Sequence, residues 1–246
     1  MSGYENFALY YDALTDNVDY ENRAAYYLSL LREQGVNDGL LLDLACGTGS
    51  LSRLFAKAGY DVIGIDGSPA MLAEAQQKAM EEGQNILFLC QQMQEIDLYG
   101  TIRGTVCALD SLNHLTDEAD VVETIRRVAL FTEPGGVFVF DVNTPYKHRS
   151  VLADNTFVYE TEDVYCVWQN ELQDNDVVQI TLDFFEQDED VYIRSGEQFS
   201  ERAYAIPRLT EILQKSGFSV CHIFDGLTKE PVNDQTQRAV FVCQKD

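Results

Sequence analysis

Ten residues, Leu40-Leu41-Leu42-Asp43-Leu44-Ala45-Cys46-Gly47-Thr48-Gly49, constrain this chain more than any other stretch. An apolar run broken by one carboxylate and passing into small residues reads as a parallel strand, buried on both faces, that ends at a ligand. Asp43 stands at the mouth of that strand. Gly47 and Gly49 lack a Cβ, so the backbone there can turn tightly and approach a bound molecule. A helix is expected from Ser50, with Leu51, Leu54, Phe55 and Ala58 at helical spacing and Gly59 as its stop. The next apolar strand, Val62 to Asp66, ends in a second acid. Two parallel strands finishing in carboxylates at one sheet edge suit a nucleoside whose ribose meets Asp66 and whose charged tail meets Asp43.

The pattern Asp43-x-Ala45-x-Gly47-x-Gly49, closed by Asp66, resembles the cofactor signature of class I S-adenosylmethionine-dependent methyltransferases. Ala45 stands where that family often has its first glycine. The resemblance implies an α/β fold: a doubly wound, mostly parallel, seven-stranded Rossmann-like sheet. It implies methyl transfer from S-adenosyl-L-methionine to a nitrogen or oxygen of a small-molecule acceptor. The cofactor residues it implies are Asp43, Ala45, Gly47, Gly49, Asp66, Gly67, Ser68, Met71, Gln92, Met93, Leu109 and Tyr20. Gln92 would pair with the adenine amino group, where the family usually has Asp, and the backbone of Met93 would reach a ring nitrogen. Met71 either packs on the adenine or belongs to the core.

Two other readings compete. Gly47-x-Gly49-x-x-Ser52 is a degenerate dinucleotide fingerprint, which would make the protein an NAD(P)-dependent oxidoreductase. Such a site wants glycine directly after the strand, and Asp43 would repel a pyrophosphate while suiting an ammonium and a sulfonium. The third reading is a noncatalytic S-adenosylmethionine-binding protein that regulates a partner.

Composition narrows the partners. With 246 residues, 46% of them hydrophobic, the chain can bury a sizeable core as one domain carrying an insertion. The formal net charge of -24 argues against nucleic acid and anionic membrane surfaces. Met1 to Leu14 has neither a basic start nor an apolar signal core, and the six cysteines show no C-x-x-C pairing. A cytoplasmic protein with reduced thiols, monomeric or homodimeric, is the expectation.

Along the chain, a helix is expected from about Asp19 by its apolar spacing, and the pattern Phe7-Ala8-x-x-Tyr11-Asp12-x-Leu14 before it resembles the leader that folds over the cofactor in small-molecule methyltransferases. This makes residues 1–36 a helical lid. Tyr11 and Tyr20 would then approach the sulfonium or the acceptor, or else pack on the sheet edge. Ser68-Pro69 caps a helix running to Glu82, followed by a strand from Ile86 to Cys90. The fourth strand is expected over 106–109, and strand order should reverse between it and the first. Asp110, Ser111 and Asn113 are therefore candidates for the acceptor pocket. His114 is a candidate general base, or a cap or packing residue. The fifth strand, Val137 to Val142, delivers Asp141 and Asn143 to the same edge. Asp110 and Asp141 with Asn143 could ligate a divalent ion or simply line a pocket, and no metal is the preferred reading.

From about Lys147 to Ala205 the pattern changes to strands alone, at least three of them antiparallel, read as a cap inserted over the acceptor pocket. Trp168, Tyr165, Arg202 and Tyr204 are suited to line it. Between Asp154 and Arg202 stand fourteen acidic and two basic side chains. They make either a solvated outer face or an acidic mouth for a neutral or cationic acceptor. A helix from Pro207, Gly217-Phe218 and two closing strands resemble the end of the same fold, so the resemblance covers residues 1–246 except the insertion.

Overall fold

The computed structural model describes residues 18–161, 164–189 and 191–246. The leader helix, Tyr11 and the first half of the expected lid lie outside them. Helix α1 (Tyr20–Glu33) starts at Asp19, whose side chain accepts the Asn22 amide. It leads into β1 (Leu40–Leu44), α2 (Ser50–Lys57), β2 (Asp61–Asp66), α3 (Pro69–Glu81) and β3 (Leu87–Cys90). Next come β4 (Ile102–Cys107), α4 (Glu118–Phe131) and β5 (Thr132–Asn143). These strands join β10 (Phe218–Asp225) and β11 (Arg238–Lys245) in one seven-stranded sheet of order β10-β11-β5-β4-β1-β2-β3. Only β11 runs against its neighbours, pairing antiparallel with both β5 and β10. The order reverses between β1 and β4, where a doubly wound sheet opens a crevice at its carboxyl edge.

Both faces of this sheet are covered, which explains the unbroken apolar strands. On one face Leu42, Leu44, Phe138, Phe140 and Phe241 meet Val121, Ile125 and Val128 of α4 and Leu209, Ile212 and Leu213 of α5 (Ile206–Lys215). On the other, Leu41, Val62, Val106 and Val139 meet Tyr27, Leu31, Leu51 and Phe55 of α1 and α2. Asp43 is the polar exception on β1, only 2% exposed.

The fourth strand differs from expectation. It ends at Cys107, and Leu109 and Asp110 lie beyond it in the left-handed region at φ 56° and 53°. Their amides turn to a carboxylate on β5 instead of continuing the ladder, so the apolar run overshoots the strand. β5 in turn begins earlier, at Thr132, with an irregular register around Pro134 to Gly136.

The insertion is a four-stranded antiparallel meander: β6 (Thr156–Glu160), β7 (Val164–Leu172), β8 (Val177–Asp188) and β9 (Val191–Arg202). Val178, Ile180, Leu182 and Phe184 of β8 alternate onto one buried face, as their spacing requires. The unshifted β8–β9 register puts Glu197, Phe199 and Glu201 on that same face, opposite Leu182, Ile180 and Val178. A helical segment over residues 145–152 links the meander to β5. Among the described residues no helix is long and apolar enough to cross a membrane.

Glu197 is 8% exposed, and neither of its carboxyl oxygens has a hydrogen-bond partner. Burial pushes its pKa up to about 7. Because the folded form keeps a proton that the unfolded chain loses near pH 4.5, stability falls as pH rises from about 4.5 to about 7. The loss is at most about 3 kcal/mol and is reduced where water reaches the carboxyl. Glu197→Leu should therefore raise the thermal midpoint over wild type at pH 8 and much less at pH 4.5. A difference independent of pH in paired melts would contradict the burial argument.

Candidate active site

The elbow after β1 is built from left-handed backbone. Ala45, Gly47 and Gly49 adopt φ 60°, 54° and 74°. A Cβ on Gly49 would stand 3.0 Å from the Ala75 Cβ and 3.2 Å from the Phe88 ring, so this glycine lets the start of α2 pack against α3 and β3. A Cβ on Gly47 would meet nothing within 4 Å, which leaves its backbone open as a cradle. One cavity at the β1/β4 switch is lined by Tyr20, Asp43, Ala45, Gly47, Leu109 and Ser111 among others, so six of the residues singled out in the sequence meet there. Ser50 and Leu51, in the first turn of α2, also line it and present a helix N-terminus suited to a carboxylate.

The two acids differ in setting. Asp43 accepts a 2.5 Å hydrogen bond from Ser52 Oγ, and burial pushes its pKa up to about 7. Asp66 accepts from the Gly47 amide at 2.9 Å and the Ser68 amide at 2.8 Å, one on each oxygen. Each oxygen keeps a lone pair for a further donor. Burial raises its pKa as well, and the charge of Asp66 adds to the rise at Asp43. A cation bound between them relieves both costs, whereas a pyrophosphate would compound them.

Beyond Asp66, the Ser68 hydroxyl caps α3 by accepting the Met71 amide at 3.3 Å. A Cβ on Gly67 would strike the Gln92 side chain at 2.7 to 3.0 Å, so Gln92 lies directly over Gly67. Met71 is buried at 5% exposure, and Met93 is partly buried against the core.

The opposite wall hangs on Asp141, which is fully buried. Its Oδ2 and Oδ1 accept the Leu109 and Asp110 amides, both at 2.9 Å, and it also receives the Tyr27 hydroxyl and the Arg238 guanidinium. Arg238 pairs with Asp110 at 2.6 Å as well. Although burial opposes ionisation, Arg238 and Lys147 hold the Asp110 carboxyl well below the usual carboxylate range. Asn143 donates to Asp110 at 2.6 Å and accepts from Lys147 at 2.9 Å. Asp110, Asp141 and Asn143 are thus spent on Arg238, Lys147 and backbone amides. Among the described residues no group of three or more His, Cys, Asp or Glu side chains could hold a metal ion.

The remaining candidates divide. Ser111 lines the cavity and donates to the Ala108 carbonyl at 2.7 Å. Asn113 is fully buried; its amide donates to the Asn143 and Arg202 carbonyls at 3.1 and 2.9 Å and accepts the Asn143 N–H at 2.9 Å. It staples the end of β9 to the end of β5. Arg202 donates to the Thr116 carbonyl and lies over the Tyr204 ring at 4.9 Å. Trp168 sits within the inserted sheet, edge-on to Phe157, with its N–H on Asn170 at 2.6 Å. His114 packs on Phe199, and its Nε2 lies 3.7 Å from Glu201.

Sequence reasoning missed Tyr27, Arg238, Glu201 and His148. Arg238 carried one signal, a lone cation heading an otherwise apolar strand. Glu201 carried another, a carboxylate in phase with the apolar face of the meander. Removing the guanidinium by Arg238→Met leaves Asp110 and Asp141 buried without their counter-ion and should cost about 3–5 kcal/mol in urea unfolding. A loss below about 1 kcal/mol, on the scale of exposed ion pairs, would mean that the network carries little.

Residues 41–136 match a family model described as a methyltransferase domain. The chain is 34% identical to "Putative methyltransferase YqeM" of Bacillus subtilis (strain 168), over 98% of this chain and 97% of the other. It superposes with TM-score 0.90 and 30% identity on an S-adenosylmethionine-dependent methyltransferase from Clostridium acetobutylicum, covering 98% of both chains. The sugar N-methyltransferase KedS8 from Streptoalloteichus matches at TM-score 0.80 and 22% identity, over 96% of this chain and 92% of the other. A glycine elbow between two strand-end acids, on a sheet of this order and with full-length relatives of this kind, places the chain in the class I S-adenosylmethionine-dependent methyltransferase family, with S-adenosylmethionine as its cofactor.

Proposed function

We propose that this protein methylates a nitrogen atom of a small-molecule amine. The observation that carries the reading is the acidity of the inserted sheet, with fourteen acidic and two basic side chains between Asp154 and Arg202. That field draws an amine inward and repels an anionic acceptor. Beside the crevice, Arg238 is committed to Asp110 and Asp141, and Lys147 donates to the Asn143 amide oxygen. The sugar N-methyltransferase among the structural neighbours supports the same acceptor class.

In this reading Asp66 holds the ribose and Asp43 faces the ammonium end. Gln92, Gly67, Met71 and Met93 surround the adenine, and Tyr20 and the Leu109 backbone close the cavity. Asp110, Ser111 and Asn143 line the acceptor side, with Asn113, Arg202 and Trp168 shaping the cap of residues 147–205. Helix α1 is the described part of the lid of residues 1–36, whose first seventeen residues lie outside the described ones. The protein works in the cytoplasm on a dissolved acceptor.

S-adenosylmethionine supplies an electrophilic methyl group on a cationic sulfur. The chain's own part is to hold the acceptor in line at short range, a contribution of about 7 kcal/mol or more, and to keep water away. A panel of matched small amines, alcohols and carboxylates, read by S-adenosylhomocysteine release, tests the proposal. Amines should turn over best, with KM rising as salt is added. Preferred turnover of carboxylates, or rates indifferent to salt, would overturn it.

A further inference from the structure

Three titratable side chains stand in a row from the interior to the crevice, each from a different element. His148, in the helical segment after β5, is fully buried. Glu201, at the end of β9, is 6% exposed. His114, in the loop after β4, has a side chain 39% exposed. Glu201 Oε2 is 3.9 Å from His148 Nε2, and Glu201 Oε1 is 3.7 Å from His114 Nε2.

The interior end of the row is fixed by hydrogen bonding. His148 Nδ1 lies 2.8 Å from the Asp176 carbonyl oxygen, which only accepts, so Nδ1 carries the hydrogen. Burial lowers the pKa of this imidazole and keeps it neutral. Its Nε2 is then a bare lone pair, fully enclosed and without a hydrogen-bond partner. The nearest group able to supply a proton is Glu201, whose pKa is raised by burial and then by the charge of Asp110. Lys147 and His114 work in the opposite sense, and the Asn143 amide, 3.4 Å from Oε2, favours the ionised form. Glu201 therefore faces Asp110 and His114 from the loop after β4, Asn143 from β5, and Lys147 and His148 from the segment beyond it.

We infer that Glu201 is the positioning residue for proton removal from the acceptor: its carboxyl stands between buried His148 and His114 and orients His114 toward the crevice. The inference rests on the amine reading above. An ammonium acceptor gives its N–H proton to His114 Nδ1. The lone pair left on nitrogen forms the new carbon–nitrogen bond as the methyl–sulfur bond breaks, and that bond's electrons stay on sulfur. Glu201 keeps its proton on the side of His148 and turns its other oxygen, Oε1, to the Nε2–H of His114, so that buried His148 stays neutral. A carboxyl oxygen behind a histidine fixes its tautomer in this way.

With three histidines in the chain, each imidazole is resolvable by long-range ¹H–¹⁵N spectroscopy of the intact protein. The wild type should show His148 as the neutral Nδ1–H form. Glu201→Gln should move the ring nitrogens of His114 and His148 together and leave those of His222 in place. With the amine acceptor from the panel, the same variant should lose about 100-fold in kcat with KM little changed. If Glu201→Gln does not fold, His114→Gln, at a half-exposed position, reads the row from its other end by shifting His148. An Nε2–H tautomer at His148, or a His148 spectrum indifferent to both variants, would overturn the inference. S-adenosylhomocysteine calorimetry separates this from failure of the parent reading. Glu201→Gln should keep wild-type affinity, whereas a wild type that binds none, or that turns over only non-amines, sinks the amine methyltransferase instead.

Discussion

Asp141 receives two backbone amides, a tyrosine hydroxyl and a guanidinium on one fully buried carboxylate. Those donors come from the loop after β4, from α1 and from β11, so a single side chain on β5 fixes the mutual positions of four elements. The arrangement also accounts for a strain. Leu109 and Asp110 are consecutive non-glycine residues in the left-handed region, at a cost of about 1–2 kcal/mol each. Their amides can reach Asp141 only in that turn. The wall of the cofactor cavity is therefore an outcome of buried hydrogen bonding, and its shape is set before any ligand arrives.

The same carboxylate sets the charge pattern of the crevice. Arg238 is drawn under the sheet edge by Asp141 and Asp110 together, and against the effect of burial they raise its pKa. Lys147 donates to the uncharged Asn143 amide oxygen, and burial lowers its pKa. With Arg238 neutralised from beneath, the carboxyls offered to a ligand at the elbow are Asp43 and Asp66. Desolvated carboxyls are costly to a protein of net charge -24. A cationic sulfur bound beside them relieves the cost. The inserted sheet joins this site through Asn113, which bonds the ends of β5 and β9, and through Glu201 itself.

Local chemistry was legible in the sequence wherever it decided the structure. Ser68-Pro69 caps α3, Gly47 and Gly49 take the left-handed turns, and the alternation over Val177 to Glu186 is the buried face of β8. The seven-stranded sheet and its switch point followed from the strand-end acids and the resemblance they carry. What could not be read depends on pairings distant in the chain. Cys107-Ala108-Leu109 is apolar enough to prolong a strand, and only a carboxylate 31 residues away turns it. Arg238 gains its role 97 residues from Asp141, and Glu201 meets His114 across the gap between two sheets. Trp168 looks like a cap residue because it is aromatic among acids, yet its neighbours Phe157 and Tyr159 hold it within the meander.

A crystal structure of the protein with S-adenosylhomocysteine tests the account most directly. The ribose hydroxyls should lie within hydrogen-bond reach of Asp66, the amino group against Asp43 in the cavity below Leu109, and the adenine between Met71 and Gln92. Density that leaves the Ala45 to Gly49 elbow empty, or that turns the molecule so that its ribose misses Asp66, would contradict it.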